Sequence, residues 1–295
     1  MLIAQVANYY GLGNTTTVNA DGSWLLNVIA CKLGRYSVKI IQNKHGMMPS
    51  KQVGQFIHTT SIEVEGAKSK IEGENVVRDI CALLSLASMS QVVAFEFSTV
   101  SGGWRRLSVR GVSMMFRPLL DTNNGDSVVN FLQQVWPRYR KLKRPRKLYA
   151  VIDMLTFTDA PSRPLELKLA QLFIIFENMK GTYAHVHHIP FFKGFRKVSS
   201  PPKASLKKEP TIPFETLLKD MLHEVGMKPG IKRLIELRNE IIHFGLSRKP
   251  FRVLTGYYNN GQDIVREYLL RLLGYEGNFL IYSRASRFHK HLGRH

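Results

Sequence analysis

The chain has 295 residues, 44% of them hydrophobic, with 42 lysines and arginines against 22 aspartates and glutamates and a formal charge of +20. That length and apolar share suit two domains of ordinary size and exclude a chain too polar to build a core. The charge says nothing about fold; it points to a polyanionic partner, RNA or DNA first, although toxins, ribosomal proteins and membrane-surface proteins share the same balance.

Cys31 and Cys81 are the only cysteines and show no Cys-x-x-Cys spacing. This fits a reducing compartment and leaves no framework for disulfides or a thiolate zinc site. Met1 to Tyr10 lacks a basic region followed by an apolar core, and no run approaches about 18 apolar residues. The expectation is a cytoplasmic protein without a membrane anchor.

Taken in chain order, the first half reads mainly as strands. Trp24–Ala30 and Tyr36–Ile41 are short β-rich runs bounded by Asp21-Gly22 and by Asn43 to Pro49. Ser61–Val64, Gln91–Thr99 and Arg105–Phe116 follow, with Ser101-Gly102-Gly103 as the hairpin turn between the last two. One helix interrupts them, Asn75–Ala87, where Val76, Ile80, Leu83, Leu84 and Ala87 recur at helical spacing behind Asn75 as a cap. After Asn123-Asn124-Gly125-Asp126 the period changes. Ser127–Lys143, Leu148–Phe157, Pro164–Ala184, Phe214–Val225, Ile231–Phe244 and Asp263–Leu273 all read as helices, with Pro145, Pro161, Pro190, Pro201, Pro202, Pro210 and Pro213 marking connections. The expected organisation is an α+β domain over 1–124 followed by an all-α bundle over 125–295 that ends in a frayed basic tail from Arg284.

Two basic segments stand out. Arg138, Arg140, Lys141, Lys143, Arg144, Arg146 and Lys147 occur without an intervening acid, and Lys193, Arg196, Lys197, Lys203, Lys207 and Lys208 occupy a Pro/Ser-rich stretch. They read either as solvated cations on a helix end and a loop or as a phosphate-tracking RNA surface. Tyr139, Phe191, Phe192 and Phe195, interleaved with them, read either as packing or as platforms for bases.

The segment with most chemistry is Leu237-Arg238-Asn239-Glu240-Ile241-Ile242-His243-Phe244-Gly245. It places a permanent cation, an amide and an imidazole within two helical turns: one group for a phosphate and one that moves a proton near neutral pH. On a helix turning about 100° per residue, Leu234, Leu237, Ile241, Ile235 and Ile242 share an apolar arc that also contains Arg238. Asn239 and His243 lie about 40° apart on one flank, with Arg238 about 140° from the histidine. A guanidinium in an apolar stripe is costly unless partnered. Glu166 or Glu177 on a neighbouring helix, a partner-chain interface or a bound phosphate are the alternatives. Gly245 stops the helix, so His243 sits in the last turn, where the helix dipole favours the imidazolium.

Arg238-Asn239-x-x-x-His243 resembles the Arg-x4-6-His signature of the HEPN superfamily. The helix from Leu165 carrying Glu166 and Glu177, the motif helix, and then Asp263–Leu273 followed by Gly274-Tyr275 are similar in order to its helical domains. So is the arrangement of a β-rich N-terminal domain before a C-terminal HEPN domain, and the helix containing Cys81-Ala82-Leu83-Leu84-Ser85, as in bacterial phage-defence and abortive-infection proteins. The resemblance implies a HEPN-like bundle and a metal-independent endoribonuclease. Its site would be composite across a homodimer, with the Arg238 anion found across the interface. It further implies 2′-OH attack on the adjacent phosphate, proton transfer by His243, charge stabilisation by Arg238 and orientation by Asn239. RNA is implied because the reaction needs that hydroxyl; an antitoxin or regulatory protein is the further partner implied. A HEPN-like module that binds RNA or a protein without cutting, and a structural subunit of a nucleoprotein assembly, are the competing readings.

Other constellations are weaker. His185, His187 and His188 have no acid or cysteine at ligand spacing, so no metal is expected, and no cofactor. Gly11-Leu12-Gly13-Asn14 lacks the strand-turn-helix setting of a dinucleotide loop.

Overall fold

Alternation dominates the first half: along Tyr36–Gln42, Tyr36, Val38 and Ile40 are buried while Ser37 and Lys39 face outward, the period-two signature of a half-covered sheet. The computed structural model describes residues 1–18, 21–43, 56–99, 101–105, 117–159, 164–198, 210–284 and 288–293. Strands β1 (Leu2–Ala7), β2 (Thr15–Val18), β3 (Trp24–Leu33), β4 (Tyr36–Gln42), β5 (His58–Glu65), β6 (Val93–Thr99) and β7 (Gly102–Arg105) form one seven-stranded sheet in the order β2-β3-β4-β5-β1-β6-β7. Every neighbouring pair is antiparallel. Strand β1, absent from the sequence expectation, pairs on both sides, with β5 and β6. The expected turn at Ser101-Gly102-Gly103 shifts: Gly102 pairs with Thr99 and Gly103 with Ser98, so both glycines lie in β7. The rest of the expected Arg105–Phe116 strand lies outside the described residues.

Helix α1 (Lys70–Ser88) starts five residues before the expected Asn75. Its cap is Ser69, whose Oγ accepts from the Glu72 N–H at 3.2 Å, while the Glu72 carboxylate accepts from the Lys68 N–H at 2.7 Å; Ser69-x-x-Glu72 is thus close to a capping box. Helix α1 packs on β1, β5 and β6. Helix α2 (Gly125–Leu142), capped by Asn124 Oδ1, packs on β3. Its start is pressed against the sheet: a Cβ on Gly125 would lie 2.2 Å from the Gly13 carbonyl oxygen, and one on Gly13 would lie 2.4 Å from the Val28 backbone. Gly13, found unsuited to a dinucleotide loop, serves here for close backbone approach.

Helices α3 (Leu148–Thr158), α4 (Leu165–Val186), α5 (Phe214–His223), α6 (Lys232–Phe244) and α7 (Phe251–Leu273) form the second half, with α4 touching the other four. The all-α expectation needs correction. Two hairpins are present, β8 (Phe191–Phe192) with β9 (Phe195–Arg196), and β10 (Gly277–Ile281) with β11 (Phe288–Leu292). The tail expected to fray therefore carries β11, and the Leu280 N–H bonds to the Leu119 carbonyl at 2.8 Å, tying this hairpin to the segment before α2. Helix α7 begins twelve residues before the expected Asp263. Gly256 and Asn259-Asn260-Gly261 look like helix breakers in sequence, but a Cβ on Gly261 would lie 2.5 Å from Leu172 Cδ2, so the glycine lets α4 approach. The hydrophobic cluster runs without a break from the sheet into α4, α6 and α7. The molecule is of mixed α+β class, and among the described residues no helix is long and apolar enough to cross a membrane.

At the end of α3, buried Asp159 accepts from Arg117 at 2.6 and 3.2 Å and from the Tyr258 hydroxyl at 2.9 Å, with the fully buried Arg266 3.4 Å away. Burial alone would raise the Asp159 carboxyl, but the Arg117 hydrogen bonds and the charge of Arg266 hold it below the usual carboxylate range.

Candidate functional site

Helix α6 buries Leu234, Leu237 and Ile241, the i, i+3, i+7 positions of one stripe. Gly245, at φ 75°, closes it by donating to the Ile241 carbonyl at 2.8 Å, as a left-handed C-terminal cap does. Arg238 lies beside that stripe, half-buried. Its Nη2 donates to Glu177 Oε1 on α4 at 2.5 Å, its Nη1 donates to Asn239 Oδ1 at 2.9 Å, and its guanidinium lies 4.4 Å from the Phe214 ring centroid at the start of α5. The buried Nε makes no hydrogen bond among the described residues. Glu177 also receives Lys180 at 2.7 Å. Of the alternatives for Arg238, the chain itself supplies Glu177, because α4 and α6 pack against each other.

Asn239 and His243 are exposed on one flank of α6. The structure joins Arg238 to Asn239 directly; among the described residues no hydrogen bond joins either to His243. The corner that carries His243 is held by Glu240, which accepts from Ser247 Oγ at 2.8 Å, the Arg248 N–H at 2.9 Å and Lys249 Nζ at 2.7 Å. Those bonds, Lys249 first, hold its carboxyl down at about 2. Several large apolar side chains near the histidine in sequence are exposed, Ile242 at 49%, Phe244 at 78%, Leu246 at 69% and Phe251 at 74%, beside exposed Arg248 and Arg252. Ile242 thus leaves the apolar arc expected to be covered. Sequence reading missed the roles of Phe214, Glu240 and this corner. Phe214 adjoins Pro213 at a helix start and gives no local hint that it will underlie an arginine; the corner was legible as Phe244, Leu246 and Phe251 around a glycine stop, where covering side chains are scarce.

The first basic segment divides by partner. Arg146 is buried and bonds Glu224 at 2.6 and 2.8 Å, with its guanidinium 5.5 Å from the Tyr183 ring. Lys143 bonds both Asp79 oxygens, at 2.6 and 2.7 Å, and Arg140 lies 3.6 Å from Asp79 and 5.3 Å from the Trp136 ring. Burial pushes the Asp79 carboxyl up despite those cations. Arg138, Arg140, Lys141, Arg144 and Lys147 are exposed. Arg140, Lys141, Lys143 and Arg144 line a cavity of about 590 Å³ between the start of α1 and the end of α2. Tyr139 is buried and offers no ring to a base.

The second segment divides likewise. Lys193 is exposed at the tip of the β8–β9 hairpin, whereas Lys197 is buried and its N–H bonds the Pro190 carbonyl at 2.9 Å. Arg196 donates to the carbonyls of Ile189 at 3.1 Å and Gly181 at 3.2 Å. Lys203, Lys207 and Lys208 lie outside the described residues. Of the histidines at the end of α4, His187 contacts Glu224 at 2.9 Å. Buried Arg146 and Lys197 are out of reach of a phosphate at the surface, whereas Arg138, Lys141, Arg144, Lys147 and Lys193 are exposed.

Comparison with protein-family models, with curated proteins and with solved structures finds no match for this chain.

Proposed function

We propose that the protein is a metal-independent endoribonuclease of HEPN type, with Arg238, Asn239 and His243 as its catalytic groups. The observation that carries this reading is the local arrangement on α6: a guanidinium oriented by Glu177 and Phe214 and linked to Asn239, one turn from an exposed imidazole. Arg238 would bind a non-bridging phosphate oxygen and stabilise the charge that develops as the 2′-OH attacks. Asn239 would hold that oxygen, and His243 would move the proton, leaving a 2′,3′-cyclic phosphate and a 5′-OH. Glu177 holds the guanidinium, so a substrate phosphate must compete with a carboxylate that is itself partly exposed. The exposed apolar side chains near His243 fit a homodimer contact that would bring a second copy's histidine towards Arg238.

Purified protein incubated with total RNA in EDTA should cleave it to cyclic-phosphate ends, and Arg238→Ala and His243→Ala should each lower the rate by at least about 100-fold. Cleavage that persists in both variants removes the assignment. Phe244→Glu should convert a dimer to a monomer in sedimentation and suppress cleavage while RNA binding persists. The competing reading, an RNA-binding module without cleavage, is favoured by the Glu177 pairing itself, which gives Arg238 a structural partner within the chain. RNA retention by an inactive wild-type protein would select it.

A further inference from the structure

We infer that the β8–β9 hairpin is a base-stacking clamp that presents an unpaired RNA strand to the Arg238 site, an inference that rests on the RNA-processing reading above. Phe191 and Phe195 are 61% and 59% exposed, an expensive placement for two rings on a two-stranded finger. Cross-strand partners share a face, and the pairs are Phe191 with Arg196 and Phe192 with Phe195. The two exposed rings therefore lie on opposite faces of the finger, with Arg196 over one side of Phe191.

The hairpin is rigidly placed. Lys193 and Gly194 take positive φ, 46° and 86°, at its turn, the conformation that matches strand twist. Arg196 lies 4.8 Å from the Phe191 ring centroid and donates to the Gly181 carbonyl. Gly181 is one turn of α4, about 6 Å, beyond Glu177, which holds Arg238. The Ile212 N–H bonds the Arg196 carbonyl at 2.9 Å, and two residues later Phe214 lies under the Arg238 guanidinium. The finger is thus fastened on both sides to the elements that position Arg238. On the other side of the α4 end, Tyr183 and His187 meet Arg146 and Glu224, which brings the α2–α3 turn with exposed Arg144 and Lys147 to the same end of the molecule.

Rings flanked by exposed cations suit a single strand, whose bases have free faces and whose phosphates lie alongside; in a duplex those faces are already stacked. A lipid surface fits less well, because the residue at the apex is Lys193, and inserting the rings would bury its ammonium first.

The test uses the full chain, a short oligouridylate carrying 2-aminopurine, and a blunt RNA duplex. Wild type should bind the single strand with a change in 2-aminopurine fluorescence. The Phe191→Ala/Phe195→Ala double variant, at unchanged melting temperature, should bind it about ten-fold or more weakly, with duplex binding unaffected. Phe191→Trp/Phe195→Trp should restore affinity and Phe191→Leu/Phe195→Leu should not. Unchanged affinity in the alanine variant, equal loss for duplex and single strand, full rescue by leucine, or, with phosphatidylserine vesicles as a third probe, a loss confined to the vesicles would each overturn the clamp. If wild type fails to cleave yet keeps this ring-dependent binding, the nuclease reading fails and the clamp stands; His243→Ala, which should bind normally and not cleave, separates the two.

Discussion

Glu177 is 37% exposed and its pair with Arg238 is only partly shielded, so its contribution to stability is about 0–1 kcal/mol. Its larger effect is on what the guanidinium can bind. Glu177→Gln should leave the urea midpoint nearly unchanged while raising RNA affinity, since one carboxylate no longer competes with phosphate; equal or weaker binding by the variant would show that Glu177 positions Arg238 rather than competing for it. Asp159 behaves in the opposite way. It is buried with Arg117 and Arg266 around it, and Asp159→Asn would remove the carboxylate that the two arginines share, with Asp263 remaining 4.0 Å from Arg266, at a cost of about 3 kcal/mol in chemical denaturation. Because the folded carboxyl lies below its ordinary value, its charge contributes fully above about pH 4 and is lost as the pH falls further, through the lowered folded value. Wild-type stability should therefore decline below about pH 4, and the variant should lack that part of the decline. Neither partnership was fixed by local pattern: Glu177 was one of two acids within reach of Arg238 on the helical reading, and Asp159, Arg117 and Arg266 meet from three distant segments.

At the scale of elements, the contact of α2 with the sheet makes a test whose sign is unusual. Glycine to alanine within a helix ordinarily stabilises by about 0.5–1 kcal/mol. At Gly125 the new methyl would strike the Gly13 carbonyl, which is backbone and cannot rotate away, so Gly125→Ala should instead destabilise by about 1–3 kcal/mol in thermal or urea unfolding. The helices were legible to within a few residues where apolar spacing was strong, as in α2 and α3. Errors arose where distant packing overrode local preference. The Asn-Asn-Gly run inside α7 is a breaker by propensity, but α4 requires the space at Gly261. Strand β1 carries two alanines and a glutamine and shows little alternation of residue type, because pairing on both edges, rather than its own pattern, fixes it. The β8–β9 hairpin has only two residues per strand, too few for any periodicity to register.

The whole-molecule charge of +20 makes association with RNA strongly dependent on salt. Each phosphate contact on a single strand contributes about 0.7 to the slope of log affinity against log salt. Replacing Lys141, Arg144 and Lys147 together by alanine should therefore flatten that slope by about 2, whereas Arg146→Ala should destabilise the fold by removing the buried partner of Glu224. The backbone bond from Leu280 to Leu119 and the unbroken hydrophobic cluster also bear on how such a chain can be divided or recombined. The helical half should not behave as a portable cassette. Cut at Asn124, it would expose the face of α2 that rests on β3 and the face of α3 that rests on α1, and its last hairpin would lose its tie to Leu119. Lineages that exchange modules by recombination should therefore transmit this sheet and this bundle together, and limited proteolysis should release no stable helical fragment.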